Sequence, residues 1–243
     1  MVERGLVPSR ERAQALILAG RVLVDEQKLE KAGASVAPNA AIRILGNELP
    51  FVSRGGLKLA RALEHWSIDV RGKICLDVGA STGGFSDCLL QAGAAQVIAI
   101  DTGHGQMDAK LRSDPRVRLL EKTNARYLAA EQLWKNEQPA LVSFVAMDVS
   151  FISATLVLPP VVAAVRNSTV DFELVVLVKP QFEVGREHVG KGGIVRDVEA
   201  QQSAVQRVKR AVGALGGAQV DIIESPILGT EGNREFLLHA RFL

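Results

Sequence analysis

A mainly parallel α/β sheet, preceded by a small α+β unit, is the fold class that this 243-residue sequence predicts. Three observations predict it. Ile74-Cys75-Leu76-Asp77-Val78-Gly79-Ala80-Ser81-Thr82-Gly83-Gly84-Phe85 reads as a buried strand that closes on an acid, turns through glycines and opens a helix. Gln96-Val97-Ile98-Ala99-Ile100 is a second apolar strand, delivering Asp101 where a carboxylate can take both hydroxyls of a ribose. Strands and helices then go on alternating to the end of the chain, as a parallel sheet with crossover helices requires.

The elements follow in order. Pro8-Ser9 starts a helix with Ser9 as its cap, Ala13, Leu16 and Ile17 repeat at helical spacing, and Gly20 ends it. Arg21–Asp25 is a short strand, Asp25–Lys28 a turn, and Ile42–Ile44 a second strand. Residues 1–43 hold seven basic side chains (Arg4, Arg10, Arg12, Arg21, Lys28, Lys31, Arg43) against five acidic ones, and the rest of the chain balances. The net charge of +2 therefore resides at the N-terminus. Such a unit can lay one cationic face along a phosphate backbone; a solvated helix with scattered charges is the plain alternative. No aromatic residue precedes Phe51, which favours recognition by shape and phosphate over base stacking.

Gly46-Asn47-Glu48-Leu49-Pro50 is polar and closed by proline, as a linker would be. The expected division is 1–45, a linker over 46–53, and a sheet domain over 54–243. Ser53-Arg54-Gly55-Gly56 leads into a helix with Leu59, Leu63 and Trp66 on its apolar stripe and Arg54, Lys58 and Arg61 on another face. After the glycine turn and Asp101 comes a third strand, followed by a loop with Asn124. Ala140–Met147 is an apolar strand ending at Asp148, and Ile152–Val165 a helix broken internally by Pro159-Pro160. Leu174–Val178 ends at Lys179-Pro180, Gln201–Leu215 is helical, and Gln219–Ile223 and Glu235–Phe242 are the last strands. Their connection is short and has no helix, so they pair antiparallel. The sheet is Rossmann-like, mainly parallel, with its last strand antiparallel.

Composition narrows the function classes. Apolar residues make up 47%, as in a globular protein. Cys75 and Cys88 match no metal spacing and suit a reducing compartment, and His65, His104, His188 and His239 are too scattered for a ligand set, so no metal is expected. No basic-then-apolar leader opens the chain. The longest uncharged run, Val149–Val165, is short and contains two prolines, so no membrane partner is expected and the location is cytoplasmic.

The glycine turn carries the cofactor reading. Its spacing is Asp-x-Gly-x-x-x-Gly-Gly-Phe, without the paired glycines that bring a pyrophosphate to a helix N-terminus. That favours S-adenosylmethionine over NAD; an ordinary strand-to-helix turn is the alternative. Asp77, Gly79, Ser81, Thr82, Gly83, Gly84 and Phe85 form the candidate methionine side of the site, Asp101 the ribose contact and Asn124 the adenine edge, unless Asn124 is only a turn residue. Lys58, Asp148, Lys179 and Glu235 stand at strand or helix ends facing one crevice. Any one of them can be merely where an element meets water; two lysines and two carboxylates converging are harder to dismiss. Glu183–Arg196, with four glycines, is expected to be a mobile loop carrying Arg186, Lys191 and Arg196, able to close over RNA beside the site; plain loop flexibility is the alternative.

Several segments resemble a known family. Ser53-Arg54-Gly55-Gly56-Leu57-Lys58-Leu59, Leu76–Phe85, Met147-Asp148-Val149-Ser150-Phe151-Ile152-Ser153, Leu177-Val178-Lys179-Pro180-Gln181-Phe182-Glu183 and Gly232-Asn233-Arg234-Glu235-Phe236 resemble, in order, the hemolysin A (TlyA-type) family of ribosomal RNA 2′-O-methyltransferases with an FtsJ-like catalytic domain. Val7–Ile17 and Gly20–Asp25 resemble the RNA-binding module named after a small-subunit ribosomal protein, S-four. That module usually opens with a further turn of helix, so the first helix here is expected to be truncated. The resemblance implies S-adenosylmethionine as cofactor, ribosomal RNA or ribosomal subunits as partner, and a Lys-Asp-Lys-Glu tetrad on Lys58, Asp148, Lys179 and Glu235. It also implies a cytidine ribose in small-subunit RNA, large-subunit RNA or both as the acceptor. After Asp148 stands Val-Ser-Phe, not the Pro-Pro-Tyr of base amino-group methylation, which fits a hydroxyl acceptor. RNA contacts are expected from Arg4, Arg10, Arg12, Arg21, Lys28, Lys31, Arg54, Arg186 and Lys191. Two rivals stand beside this: an RNA-binding protein with an inactive methyltransferase domain, against which the complete tetrad argues, and a membrane-active hemolysin, against which the lack of a spanning or long cationic amphipathic segment argues.

Overall fold

The computed structural model describes residues 1–7, 9–18, 20–29, 31–37, 39–45, 49–133, 140–229 and 232–243. In the first helix the side chains of Arg12, Ala15 and Leu18 lie outside the described set, as do residues 46–48 of the expected linker. The chain divides into two compact units, Met1–Glu48 and Leu49–Leu243.

In the first unit, α1 (Arg10–Leu18) begins directly after Ser9 and is followed by Gly20 at φ +64°. β1 (Val22–Val24), β2 (Gln27–Lys28) and β3 (Ile42–Ile44) form an antiparallel sheet in the order β2-β1-β3. The expected four-residue turn narrows to Asp25 and Glu26, at φ +49° and +65°, with Gln27 and Lys28 already paired to β1. Both central residues of a two-residue hairpin of this hand need positive φ, which non-glycine residues adopt at a cost. Asp25 offsets part of it, because its Oδ1 accepts from the Ala41 N–H at 2.8 Å. Val7, Leu16, Ile17 and Val22 are the buried centre of this unit.

The second unit opens with α2 (Gly55–His65) and continues through β4 (Ile74–Val78), α3 (Gly84–Gln91), β5 (Gln96–Ile100), the short α4 (Ala109–Arg112) and β6 (Val117–Leu120). β7 (Val142–Met147), α5 (Ala154–Arg166), β8 (Phe172–Val178), the single-turn α6 (Pro180–Glu183), α7 (Val198–Ala214), β9 (Ala218–Glu224) and β10 (Phe236–Phe242) complete it. The sheet order is β6-β5-β4-β7-β8-β10-β9; β4 to β8 are parallel, and β10 runs antiparallel between β8 and β9, as expected for the last strand. Alternating strand residues face two layers. Cys75, Val97, Phe144, Val175 and Leu237 pack under α2 and α3, while Leu76, Ile98, Val145, Leu174 and Leu238 pack on α5 and α7. With both faces covered, these strands read as continuous apolar runs.

α5 departs from expectation. It passes unbroken through Pro159 and Pro160. The two prolines leave the Thr155 and Leu156 carbonyls without their helical donors, but Leu156 and Pro159 are solvent-exposed, so water can replace those bonds. Val157, Leu158, Val161, Val162 and Val165 bury the other face and hold the helix together. Among the described residues, no helix is long and apolar enough to cross a membrane.

Candidate active site

The strand order reverses at β4, with β5 on one side and β7 on the other, and open α/β sheets bind ligands at the strand C-termini beside such a reversal. Here the chain leaves β4 through Gly79 and β7 through Asp148. Gly79 lies at φ +87°, and a Cβ there would stand 2.3 Å from the Asp148 carbonyl oxygen, so only glycine lets the two turns approach. Its N–H and that of Ala80 donate to the Ile100 carbonyl at 2.9 and 3.1 Å, and the Asp148 N–H donates to Val78 O at 2.9 Å. The three strand ends are thereby fixed to one another.

Beside them is a cavity of about 390 Å³, walled by Gly79, Ser81, Asp101, Gly103, Asn124 and Asp148, among others. Asp101 is aimed by two backbone donors, Ser81 N to Oδ2 at 2.8 Å and Gly103 N to Oδ1 at 2.6 Å. Each oxygen keeps a further lone pair for a ligand hydroxyl. Asn124 lies on the rim and caps a 3-10 turn, its Oδ1 accepting from Arg126 N at 3.0 Å, so the turn role and the cavity position coexist.

The other candidates of the glycine turn lie outside the cavity lining. Gly83, at φ +95°, turns the chain into α3. Gly84 admits the α2 entry, where a Cβ would stand 2.2 Å from Ser53 Oγ, and Phe85 is buried between α2 and α3. Thr82 accepts from Asp108 N at 3.2 Å. Asp77 is fully buried; its Oδ2 accepts from Ser86 Oγ at 2.6 Å and its Oδ1 has no hydrogen-bond partner. Burial pushes its carboxyl up to about 7, against the Ser86 hydrogen bond and with the help of nearby Asp148.

Four elements bring the tetrad residues together as two ion pairs. Lys58 on α2 stands 2.5 Å from Glu235 Oε2 at the head of β10, and Lys179 at the end of β8 stands 2.5 Å from Asp148 Oδ1. Lys58, Lys179 and Glu235 are buried. Phe236 pairs with Val178, so extending the register by one step sets Glu235 beside Lys179 and the pairs become neighbours. Lys179 also donates to Ser150 Oγ at 2.7 Å.

Side chains that the sequence did not single out complete the frame. Glu183 accepts from Ser153 Oγ at 2.6 Å and from Ala154 N at 2.7 Å, tying the chain beyond β8 to the start of α5; burial raises its carboxyl above the usual range. Asn233 takes the Val195 N–H at 2.9 Å and donates to Gly193 O at 2.9 Å, and Gln201 donates to Val195 O at 2.7 Å. The loop expected to be free is thus fastened at its C-terminal end, with Arg186 and Lys191 exposed along it. Arg54 donates to Leu228 O at 2.7 Å. In the first unit, Arg4 donates to Ala40 O at 2.6 Å and Arg21 to Leu45 O at 2.8 Å, so both help to hold the unit together. Arg10, Lys28 and Lys31 are exposed, and the Arg12 side chain lies outside the described residues. Among the described residues, no three His, Cys, Asp or Glu side chains converge as a metal-ligand set.

A seven-stranded sheet with one antiparallel strand, a glycine turn after its first strand and an acid after its second defines a methyltransferase of the Rossmann-like class. The chain belongs to the FtsJ-like methyltransferase family, whose model matches residues 51–242, and residues 1–42 match the S4 domain. It is 44% identical to the 16S/23S rRNA (cytidine-2′-O)-methyltransferase TlyA of Mycobacterium tuberculosis over 99% of this chain and 87% of that protein. It is 41% identical to Hemolysin A of Brachyspira hyodysenteriae over 97% and 95%. A solved structure from Streptococcus thermophilus, described as a candidate hemolysin, is 39% identical and superposes with a TM-score of 0.76 over 99% of this chain and 85% of that one.

Proposed function

We propose that this protein methylates a ribose 2′-hydroxyl, that of a cytidine, in ribosomal RNA of the small or large subunit, using S-adenosylmethionine in the cytoplasm. The observation that carries this reading is the pair of adjoining Lys–carboxylate contacts at the strand ends beside the cavity. The residues fit the cofactor: the cavity lies in the size range of small-molecule sites, Asp101 presents spare lone pairs, and Asp77 Oδ1 is a buried acceptor without a donor. Asp101 would hold the ribose, Asn124 the adenine edge, Gly79 and Ser81 the methionine portion, and Asp77, buried outside the cavity lining, the ammonium through water. Thr82, Gly83, Gly84 and Phe85 would shape the turn that presents them.

S-adenosylmethionine, when bound, supplies a methyl group already activated on a sulfonium, which leaves alignment and proton removal to the protein. Lys179 would receive the 2′-hydroxyl proton on Nζ, as a free amine, with Asp148 fixing its place. Lys58, held by Glu235, would set a second positive charge against the developing alkoxide. Arg54, Arg186 and Lys191 would meet RNA near the site, and Arg10, Lys28 and Lys31 would carry the cationic face of the first unit.

The test is to incubate the protein with ribosomal subunits and methyl-labelled S-adenosylmethionine and to map the label by mass spectrometry. Label on a cytidine ribose supports the reading. Label on a base, or none on either subunit, overturns it.

A further inference from the structure

Lys179 is held by two side chains that do different things. Asp148 Oδ1 is 2.5 Å from Nζ as an ion pair but accepts no aligned hydrogen bond, whereas the bond to Ser150 Oγ at 2.7 Å is directed. An ammonium–carboxylate contact behaves as two point charges and tolerates rotation about Cε–Nζ. A hydrogen bond does not, because it weakens steeply as its angle closes.

The turn that presents Ser150 is determined at both ends. Asp148 N is bonded to Val78 O, while Ser153 and Ala154 are bonded to the Glu183 carboxylate. Between them Phe151 is held at φ +64°, a left-handed conformation that a bulky residue adopts only when its surroundings enforce it. Ser150 itself is exposed and lines the cavity, so its hydroxyl bridges the cavity wall and the lysine.

We propose that Ser150 is a positioning residue for proton transfer: its Oγ fixes the rotation of the Lys179 Nζ so that, in the free amine, the lone pair is aimed at the acceptor hydroxyl whose proton it takes. This rests on the reading of Lys179 as the base. Ser150 does not itself take the proton from substrate; it acts through Lys179.

The experiment uses the full chain with Ser150→Ala and Ser150→Thr. In single turnovers with saturating cofactor and ribosomal subunits, Ser150→Ala should transfer methyl roughly 10- to 100-fold more slowly, the loss falling on the rate at saturation and exceeding any change in KM or in affinity for S-adenosylhomocysteine. Ser150→Thr, which keeps the hydroxyl, should recover most of the rate. Independently, the side-chain ¹H–¹⁵N signal of Lys179 in the cofactor-free protein should be lost in Ser150→Ala, as exchange with solvent is freed, and kept in Ser150→Thr. A wild-type rate in Ser150→Ala, or a slow rate with the Lys179 signal intact, overturns the positioning role. An inactive wild type would instead overturn the functional reading on which it rests.

Discussion

Lys58 and Lys179 reach the same edge of the sheet from different elements, and each arrives against a carboxylate. If Lys179 removes the proton, Lys179→Arg should keep the positive charge and the contact with Asp148 yet lose the reaction, because a guanidinium does not give up its proton. Methyl transfer should fall by about 10² or more with cofactor affinity retained. Single-turnover assays beside calorimetry check this, and an arginine variant that stays active would reassign Lys179 to positioning alone. Asp77 makes a pH prediction. Its buried carboxyl titrates near 7, against about 4 for an aspartate in the unfolded chain, so the folded protein retains a proton that the unfolded chain releases. This contribution to stability is complete below about pH 4 and is lost as pH rises through 7. Urea melts of Asp77→Asn without cofactor should therefore show a flatter stability curve between about pH 4 and 7, by a few kcal/mol at most. An unchanged slope would place the titration elsewhere.

At the scale of elements, the junction of the turns after β4 and β7 is the most constrained. Gly79→Ala would place a methyl group against the Asp148 carbonyl in a left-handed backbone, at a cost of at least about 2 kcal/mol. We expect a lowered melting temperature and weakened cofactor binding together; normal binding in a stable variant would show that the turns can separate. Much of this architecture was legible in the sequence. Strands buried on both faces, such as Leu174–Val178, announce themselves as apolar runs, and the residues that end the strands, Asp101, Asp148 and Lys179, fall at the C-terminal edge by topology alone. The tetrad became specific through family resemblance, since charged strand ends are common. What stayed hidden depended on partners distant in the chain. Glu183 is read as a loop acid until Ser153 and Ala154, about thirty residues earlier, supply donors to it. Asn233 clamps a loop forty residues away, and no local pattern encodes that. The Pro159-Pro160 pair misled for a related reason: the packing of Val157, Leu158 and Val161 outweighs a local propensity against helix.

At the scale of the whole molecule, Arg10, Lys28 and Lys31 lie on a different compact unit from the cofactor cavity, so the RNA contacts of that unit should separate from cofactor affinity. Replacing Arg10, Lys28 and Lys31 with alanine should weaken binding to ribosomal subunits and reduce the slope of log affinity against log salt by roughly 0.7–0.9 for each phosphate no longer neutralised. Cofactor affinity should not change. Arg4 and Arg21 are poorer probes, since their guanidinium groups donate to backbone carbonyls and their loss would loosen the first unit. An unaltered salt slope would mean that RNA docks elsewhere. The antiparallel β10 sets a further order in time. A polypeptide emerging from its N-terminus can assemble β4 to β8, but β9 has nothing to pair with and Lys58 lacks its carboxylate until residues 235–242 slot in between β8 and β9. The half-made chain is thus a sheet with an open edge and an incomplete tetrad, and, if the tetrad carries the reaction, methyl transfer should begin only once the last strand is in place.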